Sequence, residues 1–553
     1  MAAKIEGPPV DFKGELPGKA RRFPRHWQKK SCVLPIATAC APILYLPHPQ
    51  TFSTLAVGMP ATLHSQSIPA KNTDSGGAHS ISAALAGHSG RKLPGGLLRG
   101  LVIALWIVAI WCFSWPVYRA FFNIQIDNNE GWNGYFADIA IHGGRLYPKA
   151  DQLLTNNYPP LSFYMVGACS RIVGDTILAG RLLSLAAVAA IAFAIGKITR
   201  LLTRSPMAAW VAAGFYLATM SRFCADYVGM DDPQLLAQGF MSLGFAGFVA
   251  ASQEDRSCVG PILLMAAAGF IKHNLIAMPA AALVWLAVVR PREAVRCAAF
   301  SLVAITIGFL LCRSAYGPDF LSNMTAPRLF SWQHIGSKLG RLHCLDVAGV
   351  ASVCALALKR SERSVRLFGL LLVASVGTFL LQETGAGVDV NAAFELIIAL
   401  AIGVGLAFAW AREIPLERFP RLAFWGAETL QIVLVLALFV RILPTRRIQD
   451  LRPMRMVFDP SFKAEIAVRE AAMADSVALA RNTPGEVTCA TLVCYRAGKL
   501  TVDRFNVDQR IATGHLPADT LTKRFHDGSL THVVIDPRAD WDKPLDKKAA
   551  SAN

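Results

Sequence analysis

Two groups of acids and one lysine-bearing segment are the residues whose types and spacing suit chemistry. Asp127 and Glu130 stand in "IDNNEGWNGYFADIAIHGG" (126–144), three positions apart and so on one face if the segment is helical. Trp132, Phe136 and Ile139/Ala140 follow at helical spacing, a stripe suited to lying on a bilayer, before Gly143 and Gly144 end the helix. A carboxylate held at an apolar interface has its pKa raised toward values useful to a general base. The same pair also reads as a helix cap and first-turn acid. Asp231 and Asp232, in "GMDDPQLLAQG", are a second such pair, and Pro233 suits a first helical turn. Such acids suit deprotonating an acceptor, orienting hydroxyls or binding a divalent cation. "AAAGFIKHNLIAMP" supplies the opposite charge, with Lys272, His273 and Asn274 interrupting an apolar stretch. The alternative there is a lysine snorkelling from a helix end. Arg181 opens another apolar run, and with Lys272 it suits holding a lipid phosphate as negative charge develops on it. Glu383, Asp389, Asn391 and Glu395 form a later polar group with no sharper role.

The elements that must position these residues are membrane helices. The chain has 553 residues, 53% hydrophobic and only 17% charged, and apolar runs near the ~20 residues of a bilayer crossing recur between about 97 and 443. Basic clusters at Lys197/Arg200/Arg204, Arg256, Arg290/Arg292/Arg296, Lys359/Arg360/Arg363/Arg366 and Arg412/Arg418/Arg421 mark the cytoplasmic loops. The alternate loops "CADYVGMDDPQ" and "QETGAGVDVN" contain no Lys or Arg. Spans are therefore expected near 97–119, 178–199, 206–222, 235–252, 258–272, 274–289, 297–315, 344–358, 367–382, 392–411 and 422–443. This is an all-α polytopic bundle of about eleven helices, with its N-terminus cytoplasmic and C-terminus outside. In that topology "YPPLSFYMVGACSRIVG" (158–174) cannot cross and is expected at the outer interface. Residues 120–177 then form one long external loop, a length usually reserved for function.

Residues 1–95, rich in Pro, Gly, Ser and basic residues, read as a disordered cytoplasmic tail or an over-long start. Within them "CVLPIATACAPILYLP" (32–47) is a weak candidate for a further span. Beyond residue 444 "FKAEIAVREAAMADSVALARNT" reads as a helix, and "EVTCATLVCYRAG" and "THVVIDP" as strands, giving a small extracytoplasmic α/β domain over 444–553.

The net charge of +17 lies in short loops and the N-terminal tail rather than in a basic domain, which argues against nucleic acid as a partner. Most of the twelve cysteines, among them Cys112, Cys169, Cys297, Cys312 and Cys354, sit in apolar runs and carry no metal-site spacing. Cys489 and Cys494 are either a disulfide, if that region is extracytoplasmic, or two free thiols.

The order "DNNEGWN", "GGRLYP", "NNYPPLSFY", "AGRLLSL", "MDDPQ" and "IKHN" resembles the GT-C membrane glycosyltransferases. The likeness is to the protein O-mannosyltransferase and lipid A aminoarabinose-transferase branch, over about residues 97–443. The resemblance implies a polyprenyl-phosphate sugar donor, a glycan, lipid or protein acceptor, and a first-loop acid as general base, here Asp127 or Glu130. It places the second-loop acid at Asp231 or Asp232, and implies a bacterial inner-membrane protein working at the periplasmic face. Two asparagines separate Asp127 from Glu130 where relatives often have adjacent acids. Tyr158 precedes the Pro-Pro where some relatives have Lys or His, so phosphate binding falls to Lys272, with His273 or Arg181, and substrate contacts to Tyr158 and Asn274. A phosphate monoester leaves readily, so no cofactor is required; Asp231 and Asp232 are compatible with a divalent metal without demanding one. A transporter or flippase would show duplicated halves or broken central helices, and a scaffold would not explain acids in two outer loops.

Overall fold

Residues 95–335, 340–414, 427–443, 452–499, 502–541 and 543 are described by a computed structural model, and they are mostly helical. The expectations for 1–94 lie outside them. Helix α1 (Gly95–Arg119) leads to α2 (Asn128–His142), which Asp127 caps by accepting from Asn129 N–H at 2.8 Å and which Gly143 closes at φ 84°. Next come α3 (Leu161–Val173), α4 (Thr176–Thr203) capped by Asp175, α5 (Pro206–Phe223) capped by Ser205, and α6 (Pro233–Gln253) capped by Asp232. Helices α7 (Val259–Gly269), α8 (Ala277–Val289), α9 (Pro291–Tyr316) and α10 (Pro318–Met324) follow. After these come α11 (Asp346–Leu358), α12 (Arg363–Glu383), α13 (Phe394–Trp410) and α14 (Ala427–Ile442).

Six of the described helices are long and apolar enough to cross a membrane: α1, α4, α6, α9, α12, and α13 with its flanking turns. This differs from the eleven expected. The apolar run read as two crossings at 258–289 is α7 and α8, of 11 and 13 residues. At ~1.5 Å per residue these are about 16 and 20 Å long, short of the ~30 Å hydrocarbon core. Helix α3, at 13 residues, is likewise too short to cross. Helix α13 is buried almost throughout, whereas α9 is exposed over most of its surface, Phe300, Leu302 and Leu310 included. The chain is therefore a multi-pass membrane protein with α13 at the centre of its helix cluster and α9 at the lipid-facing edge.

The C-terminal region begins with α15 (Arg452–Phe458) and α16 (Ser461–Asn482), then β1 (Glu486–Thr488), α17 (Thr491–Arg496), α18 (Arg504–Ala512), α19 (Thr520–His526) and β2 (Leu530–His532). β1 and β2 pair in parallel, Val487 opposite Thr531. The strand expected over "EVTCATLVCYRAG" is limited to its first three residues. Leu492, Val493 and Cys494 are buried in succession, and the chain turns helical there to place Thr491 and Tyr495 against α2. Cys489 and Cys494 are joined by a disulfide.

The aromatic stripe of α2 does not face lipid. Phe136 is fully buried, Trp132 nearly so, and both rings pack on Phe163 of α3. The Trp132 indole N–H donates to Thr155 O at 3.1 Å. Two glycines explain how α2 can be enclosed. A Cβ on Gly131 would overlap the Thr491 carbonyl, and one on Gly134 would meet Ile177. Gly131→Ala should accordingly destabilise the protein by about 1–3 kcal/mol, the usual cost of overpacking. The check is its thermal unfolding midpoint in detergent; an unchanged midpoint would contradict this close approach.

Candidate active site

The two loops that carry the acids are each pinned by a buried arginine. Arg181, 2% exposed, uses all five of its N–H donors. Nε donates to Glu130 Oε1 at 2.7 Å, and Nη2 to Glu130 Oε2 and Ile124 O, both at 2.8 Å. Nη1 donates to Ala120 O and Phe122 O at 3.2 and 2.6 Å. The guanidinium thus fixes the whole turn between α1 and α2. Glu130 is fully buried, and its carboxylate also accepts from Ile126 N–H at 2.8 Å and Asp231 N–H at 3.4 Å. In the second loop, Arg119 at the end of α1 donates to Ala225 O and Val228 O and pairs with Asp226 at 3.6 Å.

This geometry separates residues that the sequence left together. Arg181 has no N–H left for a phosphate, and Glu130 is consumed by Arg181 and two backbone amides. Asp127 differs. One carboxylate oxygen caps α2, and the side chain is half-buried. Burial first, then the neighbouring Asp232, Glu130 and Asp389, push its pKa up to about 6, against the Asn129 N–H that lowers it.

Asp232 caps α6 through one oxygen, accepting from Gln234 N–H at 2.7 Å; its other oxygen is buried without a partner. Asp231 presses one carboxylate oxygen against Gly180 of α4, where any Cβ would collide, and leaves the other oxygen without a partner. Burial, then Glu130 and Asp232, raise its carboxyl well above the usual range, favouring the protonated form. Both acids line a narrow cavity with Asn133, Ser162 and Phe163. Among the described residues no three His, Cys, Asp or Glu side chains are grouped so as to hold a metal ion.

Lys272 lies in the non-helical turn between α7 and α8, 4% exposed, with its ammonium 3.3 Å from the centre of the Tyr158 ring. Among the described residues no carboxylate lies within ion-pairing distance of it; the charges that act on it are Asp232 and Arg328. Asp232, Arg328, Asp127 and Asp503 act in turn on the Tyr158 phenol, which burial pushes well up. Tyr158, Asp127, Asp232, Lys272 and Arg328 are therefore within electrostatic reach of one another, with Lys272 in direct contact with the Tyr158 ring. His273 is exposed, and Asn274 donates to Gln382 Oε1 at 2.6 Å, tying the α7–α8 turn to α12. Glu395 accepts from Ala277 N–H at 3.1 Å and so caps α8. Asp389 also acts on Asp127.

Arg328, Asp389 and Asp503 are the members of this group to which the residue pattern gave no role at the acids. Arg328 had a usable signal: it is a cation in "TAPRLFSW", an outer loop of the expected topology, where the positive-inside tendency does not call for one.

No protein-family model matches the chain, and neither does any curated protein. Among solved structures, it is similar to ArnT from Cupriavidus metallidurans in the apo state, at 12% identity and a TM-score of 0.49, covering 81% of this chain and 92% of that one. ArnT bound to undecaprenyl phosphate gives 16% identity and a TM-score of 0.41, over 76% of this chain and 78% of that one. The Archaeoglobus fulgidus oligosaccharyltransferase in its apo form gives 11% and 0.44, over 74% and 65%. ArnT and the oligosaccharyltransferase are both GT-C glycosyltransferases.

Proposed function

We propose that this chain is a glycosyltransferase that moves a sugar from a polyprenyl-phosphate donor to a glycan, lipid or protein acceptor at the periplasmic face of a bacterial inner membrane. The observation that carries this reading is Lys272: a buried ammonium held on the Tyr158 ring and within electrostatic reach of Arg328 and Asp232. An intramembrane lysine without an acidic partner is costly and suits an anionic ligand that arrives with the substrate. Asp127 takes the proton from the acceptor hydroxyl as its oxygen attacks the anomeric carbon. The bond to the carrier phosphate breaks, and Lys272 and Arg328 stabilise the charge left on it. A single displacement of this kind inverts the anomeric centre. Asp232 orients the acceptor, while Glu130 and Arg181 hold the base in place. No metal is needed for departure of a phosphate monoester.

Undecaprenyl phosphate is the direct probe of this site. Lys272→Met should weaken its binding to purified protein roughly 10- to 100-fold, the loss of one charge-assisted hydrogen bond. Arg328→Gln should act in the same direction. Unchanged affinity in both variants would refute the phosphate assignment.

A further inference from the structure

We propose that α17 and α18 are a two-point brace that sets the separation between Asp127 and the Arg328 loop; this rests on the function just proposed. One point of contact is on α2. The Thr491 hydroxyl donates to Asn128 O, the residue after the base, and Leu492 N–H donates to Gln125 Oε1 at 3.0 Å, two residues before it. The Tyr495 hydroxyl donates to Asp138 Oδ2 at 2.6 Å, and Asp138 Oδ1 accepts from Thr176 of α4 at 2.5 Å. Arg496 pairs with Asp175 at 2.5 Å, the residue that caps α4. The segment making these contacts is closed on itself by the Cys489–Cys494 disulfide.

The other point of contact is the Arg328 loop. Gln509 Oε1 accepts from Leu329 N–H at 3.0 Å, the amide following Arg328. The Phe505 ring lies 5.7 Å from the Arg328 guanidinium and covers Gly387, where a Cβ would strike it. Leu329 O accepts from Ala386 N–H at 2.8 Å, so the same contact also locates the loop that carries Asp389. The two ends of the brace are joined within the C-terminal region: β1 runs into α17, and its partner β2 packs Leu530 on Val502 and on Val507 of α18. Because α17 touches the Asp127 turn and α18 the Arg328 loop, a rigid link between them fixes the distance between the two. Tyr495 and Gln509 are positioning residues in this scheme.

The test uses the full chain in detergent, with Tyr495→Phe, Gln509→Ala and Gln509→Glu. Amide hydrogen exchange is followed in α2 and in 325–332, alongside undecaprenyl phosphate binding. Tyr495→Phe should speed exchange in α2 several-fold, leave Leu329 protected and keep undecaprenyl phosphate affinity within twofold. Gln509→Ala should do the reverse, exposing Leu329 and weakening affinity roughly 5-fold, the effect of one neutral hydrogen bond. Gln509→Glu, which keeps an acceptor oxygen, should restore both. Exchange that rises equally at both sites, or at neither, would overturn the brace. Wild-type protein that fails to bind undecaprenyl phosphate would instead overturn the proposed function, while the exchange pattern still decides the brace.

Discussion

Asp127→Asn is expected to lower the rate of sugar transfer by roughly 10²- to 10⁴-fold, the usual contribution of a general base. Asparagine caps helices about as well as aspartate, so α2 and the thermal midpoint should be nearly unchanged. The wild-type rate should also depend on pH in a defined direction. A base works when ionised, and burial pushes the Asp127 pKa up to about 6. The rate should therefore be low below that value, reach half its plateau near pH 6 and be flat above pH 7. A profile with no limb near pH 6, or an Asp127→Asn variant with full activity, would remove Asp127 from the reaction.

Glu130→Gln should fail for a different reason. It leaves the Arg181 charge buried with no carboxylate opposite it, and breaking a buried ion pair from one side costs about 3–5 kcal/mol. The expected result is a large drop in midpoint and in yield of folded protein. Arg181→Met should behave similarly, because a buried Glu130 would lose its cation. Arg181→Lys should not rescue, since an ammonium has three donors where the guanidinium supplies five in a fixed fork. Combining Glu130→Gln with Arg181→Met should recover part of the loss, as the two sites share one interaction. If Glu130→Gln instead kept its midpoint and lost activity, Glu130 would be the base after all.

Much of the architecture was legible because it follows from local rules. The caps at Asp127 and Asp232, the glycine stop at Gly143 and the longest apolar helices appear where composition places them. What failed to read was tertiary. Hydropathy alone does not distinguish the broken α7–α8 pair from two crossings, because the break at Lys272 is supported by Gln382 and Glu395, more than a hundred residues away. The stripe on α2 has the spacing of an interfacial helix, yet α3, α4 and α17 enclose it. The choice between Asp127 and Glu130 turned on Arg181, whose reach back to residues 120–130 spans more than fifty positions. Charge type and order located the group of acids and cations; which member was already committed to the fold depended on long-range partners.

The break between α7 and α8 also has a consequence for depth. Arg290 reaches back to Arg256 O at 3.2 Å, so the start of α7 and the end of α8 meet on one side, the cytoplasmic one in the proposed topology. Helices of about 16 and 20 Å rising from that side fall roughly 10 Å short of the far edge of a ~30 Å hydrocarbon layer. Under that topology, with the start of α7 at the cytoplasmic edge of the hydrocarbon, the tip that bears Lys272 would lie below the plane where lipid phosphates ordinarily rest. The proposed carrier would then have to draw its phosphate down out of the headgroup layer, shedding water on the way. Ordinary phospholipids, anchored at their own level by glycerol and two chains, are poorly shaped to follow, whereas a single-chain carrier can slide along its axis. Selection among membrane lipids would in that case be made by how far a headgroup can descend.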